Sequence, residues 1–105
     1  MDIYERLLSE MPDRPSGVIA LPHFMTTGPP DFVSDSAGVL AGLRLTTSRG
    51  DIVKGILEGS LFYLRECLEA LSGTGIEVHD VRVTGGGSRS DQWVQMTADI
   101  LCRSL

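Results

Sequence analysis

The stretch SRGDIVKGILEGSLFYLRECLEAL, residues 48–71, decides the fold because it predicts one long amphipathic helix. Ser48, followed three residues later by Asp51, forms the S-x-x-D pattern of a helix N-terminus. Gly73 and Gly75 follow the stretch and predict its C-terminal stop. The apolar residues recur at helical spacing and predict a buried stripe, formed by Ile52, Ile56, Tyr63, Cys67 and Leu71 and broadened by Val53, Leu64 and Leu68.

Two glycines, Gly55 and Gly59, lie in the middle of this predicted helix. Each costs a helix interior about 1 kcal/mol relative to Ala, so they predict close packing against another backbone. Glu58 lies between them, where a buried carboxylate would need a partner. We therefore expect Glu58 to serve the structure, by capping a loop.

Downstream, residues 78–83 (VHDVRV) alternate apolar and polar side chains, which is the period of a strand. They lead into a glycine-rich turn at 84–91 and then into a second predicted helix, which carries Trp93, Val94, Met96, Ile100 and Leu101. Trp93 is expected to anchor this helix. The order helix, strand, turn, helix predicts an α/β fold, with the strand inside a sheet and the helices packed against it.

The N-terminal part predicts three further segments. Residues 2–11 carry apolar side chains at helical spacing, and Pro12 ends this predicted helix. Residues 18–21 (VIAL) form a short apolar run that predicts a buried strand. Residues 22–42 are rich in proline and glycine but also carry apolar anchors, which favours an ordered loop of the kind that is often functional.

Composition narrows the class of protein. The chain has 105 residues, 42% of them hydrophobic and 22% charged, which is typical of one compact domain. The net charge of −5 argues against a nucleic-acid partner, because phosphate backbones are bound by clustered Lys and Arg. No apolar run approaches the roughly 20 residues of a membrane helix, so we expect no membrane association and a cytoplasmic protein. Cys67 and Cys102 are too few for a disulfide framework, and His23 and His79 lack the spacing of metal ligands.

The turn at 84–91 is the place where the sequence indicates chemistry. Three consecutive glycines, Gly85–Gly87, remove every Cβ, so backbone N–H groups can approach a ligand closely. The following helix presents its positive N-terminal end there, and Ser90 is placed to cap it. Phosphate suits such a corner, with Arg89 as a further partner. The residues alone leave open both a tight structural turn and a nucleotide or phosphate site, because neither the P-loop nor the Rossmann pattern is present.

Several motifs resemble the C-terminal domain of the FGGY carbohydrate kinases, and most closely their xylulokinase-like branch. The most specific are ILEG (56–59), TGGGSRS (84–90) and ADIL (98–101), which occur in the family's order and spacing. The stretch LPHF…PPDFVSDSAGVLAGL is also similar to the loop that precedes the long helix in the family. The resemblance covers about residues 17–101.

The resemblance implies part of an actin-like ATPase (ribonuclease H-like) domain, a mixed sheet with packed helices. In such kinases the active site lies between two domains, and the C-terminal domain holds the nucleotide. Gly86 and Ser90 match the positions that contact ADP or ATP, while Gly85 and Gly87 complete the turn. The family mechanism implies ATP with Mg²⁺ and a carboxylate base that deprotonates a sugar or polyol hydroxyl.

Some family features are missing from these 105 residues. The FGGY signature, the N-terminal phosphate-binding hairpin and a segment matching the catalytic aspartate are absent, and residues 26–30 (TTGPP) stand where the family often has G-E-R-x-P. We therefore expect residues 1–105 to be a partial C-terminal domain that carries no catalytic or metal-binding residue. Alone it should be inactive, and its exposed apolar surface should either cause self-association or leave it marginally stable.

Two alternatives remain at the level of sequence. The parent protein could be a non-catalytic regulator that binds a sugar or nucleotide, in which the glycine corner is structural. The chain could also be a complete small interaction module with a self-contained core, which would predict no response to nucleotide.

Overall fold

The computed structural model describes residues 2–22, 37–86 and 90–102. The elements follow in the order α1 (Ile3–Ser9), β1 (Ile19–Leu21), β2 (Val39–Ala41), α2 (Arg49–Gly73) and α3 (Asp91–Leu101). The two strands pair antiparallel, with Ala20 opposite Leu40. Helix α2 contacts β1, α3 and α1, and β2 joins this arrangement through its pairing with β1.

Helix α2 confirms the predicted long helix and both of its ends. The Ser48 hydroxyl accepts a hydrogen bond from the Asp51 N–H at 3.1 Å, as the capping pattern predicts. The helix ends at Gly73, where the Thr74 N–H donates to the Leu71 carbonyl at 3.0 Å. Gly75 then adopts a φ of +89°, which turns the chain away from the helix axis.

The glycines of α2 form the face against which the β1 segment and the turn after α1 pack. A Cβ on Gly55 would lie 2.7 Å from the Val18 carbonyl oxygen, and one on Gly59 would overlap the Ala20 carbonyl. Gly50, at the start of the helix, meets the Glu10 carbonyl in the same way. This confirms the predicted close approach of backbones, since real Cβ atoms do not approach carbonyl oxygens so closely.

The apolar core lies on another face of α2. Its buried centre consists of Met11, Leu61 and Met96, surrounded by partly buried Leu8, Val53, Leu57, Trp93 and Ile100. The prediction that the apolar stripe is the buried face of α2 is therefore wrong. Leu64 and Leu71 are exposed, and the other residues of the stripe are half-buried. Small residues and Leu61 are buried instead. Trp93 does anchor α3 to the core, as predicted.

The N-terminal predictions are confirmed in part. Helix α1 starts at an Asp2 cap, whose carboxylate accepts from the Glu5 N–H at 2.8 Å. Strand β1 exists, but Ile19 and Leu21 are exposed and only its central Ala20 is buried, so this strand is not buried on both faces. The predicted loop at 22–42 is wrong at Val39–Ala41, which form β2. The rest of that loop lies largely outside the described residues.

The strand predicted at 78–83 is wrong. Residues 76–84 adopt neither helix nor strand in the structure. A strand requires a ladder partner, and in the described ranges β1 and β2 pair with each other and not with this segment. The second predicted helix is confirmed as α3, which begins immediately after Ser90.

Candidate functional site

Gly85 and Gly86, the glycines of the corner that the structure describes, are exposed. Gly85 has a φ of +86°, in the left-handed region that favours glycine. Neither at Gly85 nor at Gly86 would an added Cβ meet any described atom within 4 Å. Among the described residues, nothing fills the space beside these two glycines.

Gly86 shares its open backbone with Gly17 and Gly73, and it differs from both in its place beside the N-terminus of α3. Backbone conformation accounts for Gly85, and internal packing accounts for Gly55 and Gly59. Gly86 has neither a left-handed φ nor a close neighbour among the described residues. A backbone left bare in open space fits the approach of a group from outside the described chain, such as a phosphate.

Ser90 fixes the start of α3. Its hydroxyl accepts from the Trp93 N–H at 3.2 Å, and its carbonyl accepts from the Val94 N–H at 3.0 Å. This confirms the predicted cap and orients the positive N-terminal end of an 11-residue helix at the end of the glycine turn. Gly87 and Arg89, the remaining predicted site residues, lie outside the described residues. Thus Gly85, Gly86 and Ser90 flank the corner, and the helix behind them can stabilise an anion.

Two other features bear on the type of site. In the parts of the chain that the structure describes, no three His, Cys, Asp or Glu side chains converge to hold a metal ion. Nor does any helix within those parts have the length and apolar character needed to cross a bilayer.

A set of polar contacts between α2 and the turn at 10–16, here called the polar clamp, was not predicted from the sequence. On α2 it involves Arg49, Asp51, Lys54 and Glu58. The Arg14 guanidinium forms two hydrogen bonds of 3.0 Å with the carboxylate of Asp51, whose side chain is only 12% exposed. This hydrogen bond is the main reason why the pKa of Asp51 lies below its ordinary value. Arg49 likewise binds Glu10 and lowers the pKa of that carboxyl, mainly through the side-chain hydrogen bond.

Lys54 and Glu58 complete the clamp by binding backbone groups. The Lys54 ammonium donates to the carbonyls of Pro12 at 2.6 Å and Arg14 at 2.8 Å. Glu58 accepts from the Ser16 N–H at 2.8 Å, which confirms its predicted structural role in a loop. Residues 51, 54 and 58 share one side of α2 beside the glycines, and that spacing was the available signal. The partners lie about 40 residues away, so the sequence alone did not identify them.

Comparison with known proteins assigns this chain to a family. Residues 3–105 match the C-terminal domain of the FGGY family of carbohydrate kinases. A glycerol kinase from Alkalilimnicola ehrlichii is 35% identical over 101 residues, covering 95% of this chain and 20% of the relative. A xylulose kinase from Bacillus subtilis is 33% identical over 100 residues, covering 92% of this chain and 20% of the relative.

A solved structure gives the same assignment. The crystal structure of Plasmodium falciparum glycerol kinase with ADP matches with a TM-score of 0.81 and 30% identity, over 97% of this chain and 21% of that one. The described elements are thus part of a mixed α/β unit of the actin-like ATPase fold. The chain belongs to the FGGY family of carbohydrate kinases. It spans about a fifth of the length of these relatives.

Proposed function

We propose that this chain forms the nucleotide-binding part of an ATP-dependent, xylulokinase-like kinase that phosphorylates a sugar or polyol hydroxyl in the cytoplasm. The observation that carries the proposal is the open Gly86, next to the Ser90-capped start of α3, in a chain that matches the family's C-terminal domain. Residues 1–105 are a part of that domain in this proposal.

The residues assigned to the nucleotide are Gly85, Gly86, Gly87, Ser90 and Arg89. With no Cβ at the turn, backbone N–H groups can lie within hydrogen-bond distance of phosphate oxygens. The first turn of α3 adds unpaired N–H groups and the positive end of the helix dipole. ATP supplies the phosphoryl group, and the chain's own contribution is to bind and orient the nucleotide, on which phosphoryl transfer depends strongly.

The rest of the catalytic machinery is assigned outside this chain. We assign no residue to Mg²⁺, since the described side chains form no cluster suited to a metal ion. We assign no catalytic base either. The 105-residue chain is therefore proposed to be inactive alone, and sugar-dependent ATP turnover by the purified chain would contradict this.

We also propose that the isolated chain self-associates through exposed apolar surface. Ile19, Leu21 and Val39 are 68%, 50% and 48% exposed, and these three apolar side chains lie on one face of the β1–β2 pair. Apolar surface of this kind favours contact with another protein surface. Sedimentation velocity over a range of concentrations would show the association, and a monomer at every concentration would argue against it.

Binding is tested by titrating the ¹⁵N-labelled chain with Mg-ADP and, separately, with inorganic phosphate. We expect saturable shifts of the Gly85, Gly86 and Ser90 amides with ADP. Amides at the far end of α2, such as that of Ser72, serve as the internal control. Shifts that spare the corner, or no response at millimolar ADP, would count against the proposed site.

A further inference from the structure

Within the polar clamp, Lys54 fixes the turn after α1 through two main-chain carbonyl groups. Its half-buried ammonium donates to the carbonyls of Pro12 at 2.6 Å and of Arg14 at 2.8 Å. Because both acceptors belong to the backbone, these hydrogen bonds fix the path of the chain and not merely a side chain. Lys54 therefore determines where residues 12–14 lie relative to α2.

The same turn contributes a side chain to the packing of α3. Met11, which directly precedes Pro12, is 7% exposed. It forms the buried centre of the core together with Leu61 of α2 and Met96 of α3. A close-packed core transmits displacements, so a shift of Met11 has to be followed by its neighbours. The position of the turn thus affects the position of α3.

Helix α3 extends this constraint to the glycine corner. Met96 lies six residues after Ser90, which corresponds to about 9 Å along a helix axis. A shift of the short, continuous helix at Met96 also moves its first turn and the unpaired N–H groups there. Hydrogen bonds weaken steeply with distance and angle, so an anion at the corner depends on where those N–H groups point.

Open space lies between the turn and the first turn of α3. It forms a groove of about 390 Å³, lined by Pro12 and Asp13 of the turn, Lys54 of α2, and Asp91 and Gln92 of α3. A segment that borders a groove of this size has room to shift when an anchor is removed. The turn therefore depends on Lys54 rather than on tight packing against the start of α3.

We propose that Lys54 is a positioning residue for the nucleotide site, a proposal that rests on the function proposed above. It acts through the turn and the Met11–Met96 contact, and it holds the start of α3 in the direction that suits a phosphate at Gly86. Lys54 itself does not touch the phosphate. Coupling between two sites is reciprocal, so a phosphate at the corner also stabilises the turn.

The test compares Lys54→Met with Arg65→Met in the 105-residue chain. Arg65 also donates to a carbonyl, that of Ile100 at 3.0 Å, but this contact lies at the opposite end of α3 from Ser90. Inorganic phosphate and Mg-ADP are titrated separately, and the amide shifts of Gly86 and Ser90 give the affinities. Lys54→Met should weaken both by about 3- to 10-fold, as coupling through packed residues usually does. Arg65→Met should leave them unchanged.

Three further measurements separate positioning from a purely structural or electrostatic role. Lys54→Arg keeps the charge and the donors, so it should recover most of the affinity. The ratio of the wild-type to the Lys54→Met affinity should persist from about 0.05 to 0.5 M NaCl, because salt screens distant charges more than short, part-buried contacts. The Met11 amide donates to the Leu8 carbonyl at 3.2 Å. Phosphate should slow its hydrogen exchange in the wild type and not in Lys54→Met.

The outcomes separate this inference from the proposed function. Equal phosphate affinities of Lys54→Met and wild type would overturn the inference alone. So would an equal loss in both Met variants, which indicates general loosening, or a ratio that falls to one at high salt, which indicates charge. If Lys54→Met does not fold, wild-type exchange decides, and a Met11 amide that phosphate leaves unchanged overturns the inference. A wild type that responds to neither phosphate nor ADP overturns both proposals.

Discussion

Gly55 of α2 lies so close to Val18 that a Cβ added to Gly55 would stand 2.7 Å from the Val18 carbonyl oxygen and 3.1 Å from the Val18 Cβ. At this contact α2 presents only its backbone to Val18, the residue that precedes β1, because Gly55 has no side chain. Gly59 repeats the contact one turn later, at Ala20. The small sheet lies on α2 because these glycines let backbone meet backbone.

Gly55→Ala should destabilise the protein, although Ala is the better helix former by roughly 0.5–1 kcal/mol. The added methyl would force α2 and Val18 apart, and overpacking of this kind typically costs about 1–3 kcal/mol. Gly73→Ala is the control, since nothing lies within 4 Å of its Cβ position. Urea unfolding should show a loss for the first variant and no loss, or a small gain, for the second. The same sign for both would refute the packing role of Gly55.

Glu58→Ala should loosen the turn that precedes β1. It removes the acceptor of the part-buried Ser16 N–H, which typically costs about 1–3 kcal/mol. Hydrogen exchange at the Ser16 amide should accelerate more than exchange within α3. Glu58→Gln keeps a side-chain carbonyl at the same place and should recover much of the protection. If the two variants exchange alike at Ser16, the hydrogen bond does not hold this turn.

The Asp51–Arg14 pair should make stability depend on pH in the acid range. Because the folded state lowers the pKa of Asp51 from its ordinary 3.8, the ionised carboxylate stabilises the fold above that value. This contribution is lost as the pH falls through the lowered pKa. Asp51→Asn should therefore unfold at a lower urea concentration than wild type at pH 7, and the difference should shrink below about pH 4.

The wild-type protein at each pH is the reference for this comparison. Glu10 also has a lowered pKa, from its contact with Arg49, and contributes to the acid sensitivity of both proteins. The difference between wild type and Asp51→Asn isolates the Asp51 contribution. A difference that stays constant down to pH 2 would show that the Asp51 charge does not stabilise the fold.

Ser90→Ala should weaken the start of α3. The hydroxyl caps the Trp93 N–H, and loss of an N-cap costs about 1 kcal/mol. Thermal unfolding should show the loss, and Ser90→Asn, which keeps a capping oxygen, should restore stability. A Ser90→Ala variant as stable as wild type would mean that the cap is not needed.

The sequence was sufficient where a structure depends on near neighbours. Ser48 and Asp51 are three residues apart, and so are Ser90 and Trp93, and both caps form as predicted. The close packing at Gly55 and Gly59 could also be predicted, because a glycine inside a helix is unfavourable without a close neighbour. Family membership was likewise expected from short motifs at 56–59, 84–90 and 98–101.

The sequence was insufficient where a structure depends on distant partners. The period-2 pattern at 78–83 describes a strand's side chains but does not supply the partner strand that pairing requires. The Arg14–Asp51 pair joins residues 37 positions apart, and no local pattern predicts it. The predicted apolar stripe was wrong for a related reason. Hydropathy identifies large apolar side chains and does not identify glycines, which in α2 are buried against β1.

Gly86→Ala separates binding from folding at the proposed nucleotide site. No described atom lies within 4 Å of its Cβ position and its φ is not left-handed, so stability should be unchanged. The methyl would instead occupy the space proposed for the nucleotide and abolish the ADP-induced shift at Ser90. Gly85→Ala is the contrasting variant, because its φ of +86° makes a side chain strained by about 1–2 kcal/mol. A Gly86→Ala protein that still binds ADP like wild type would show that the glycine corner is only a structural turn.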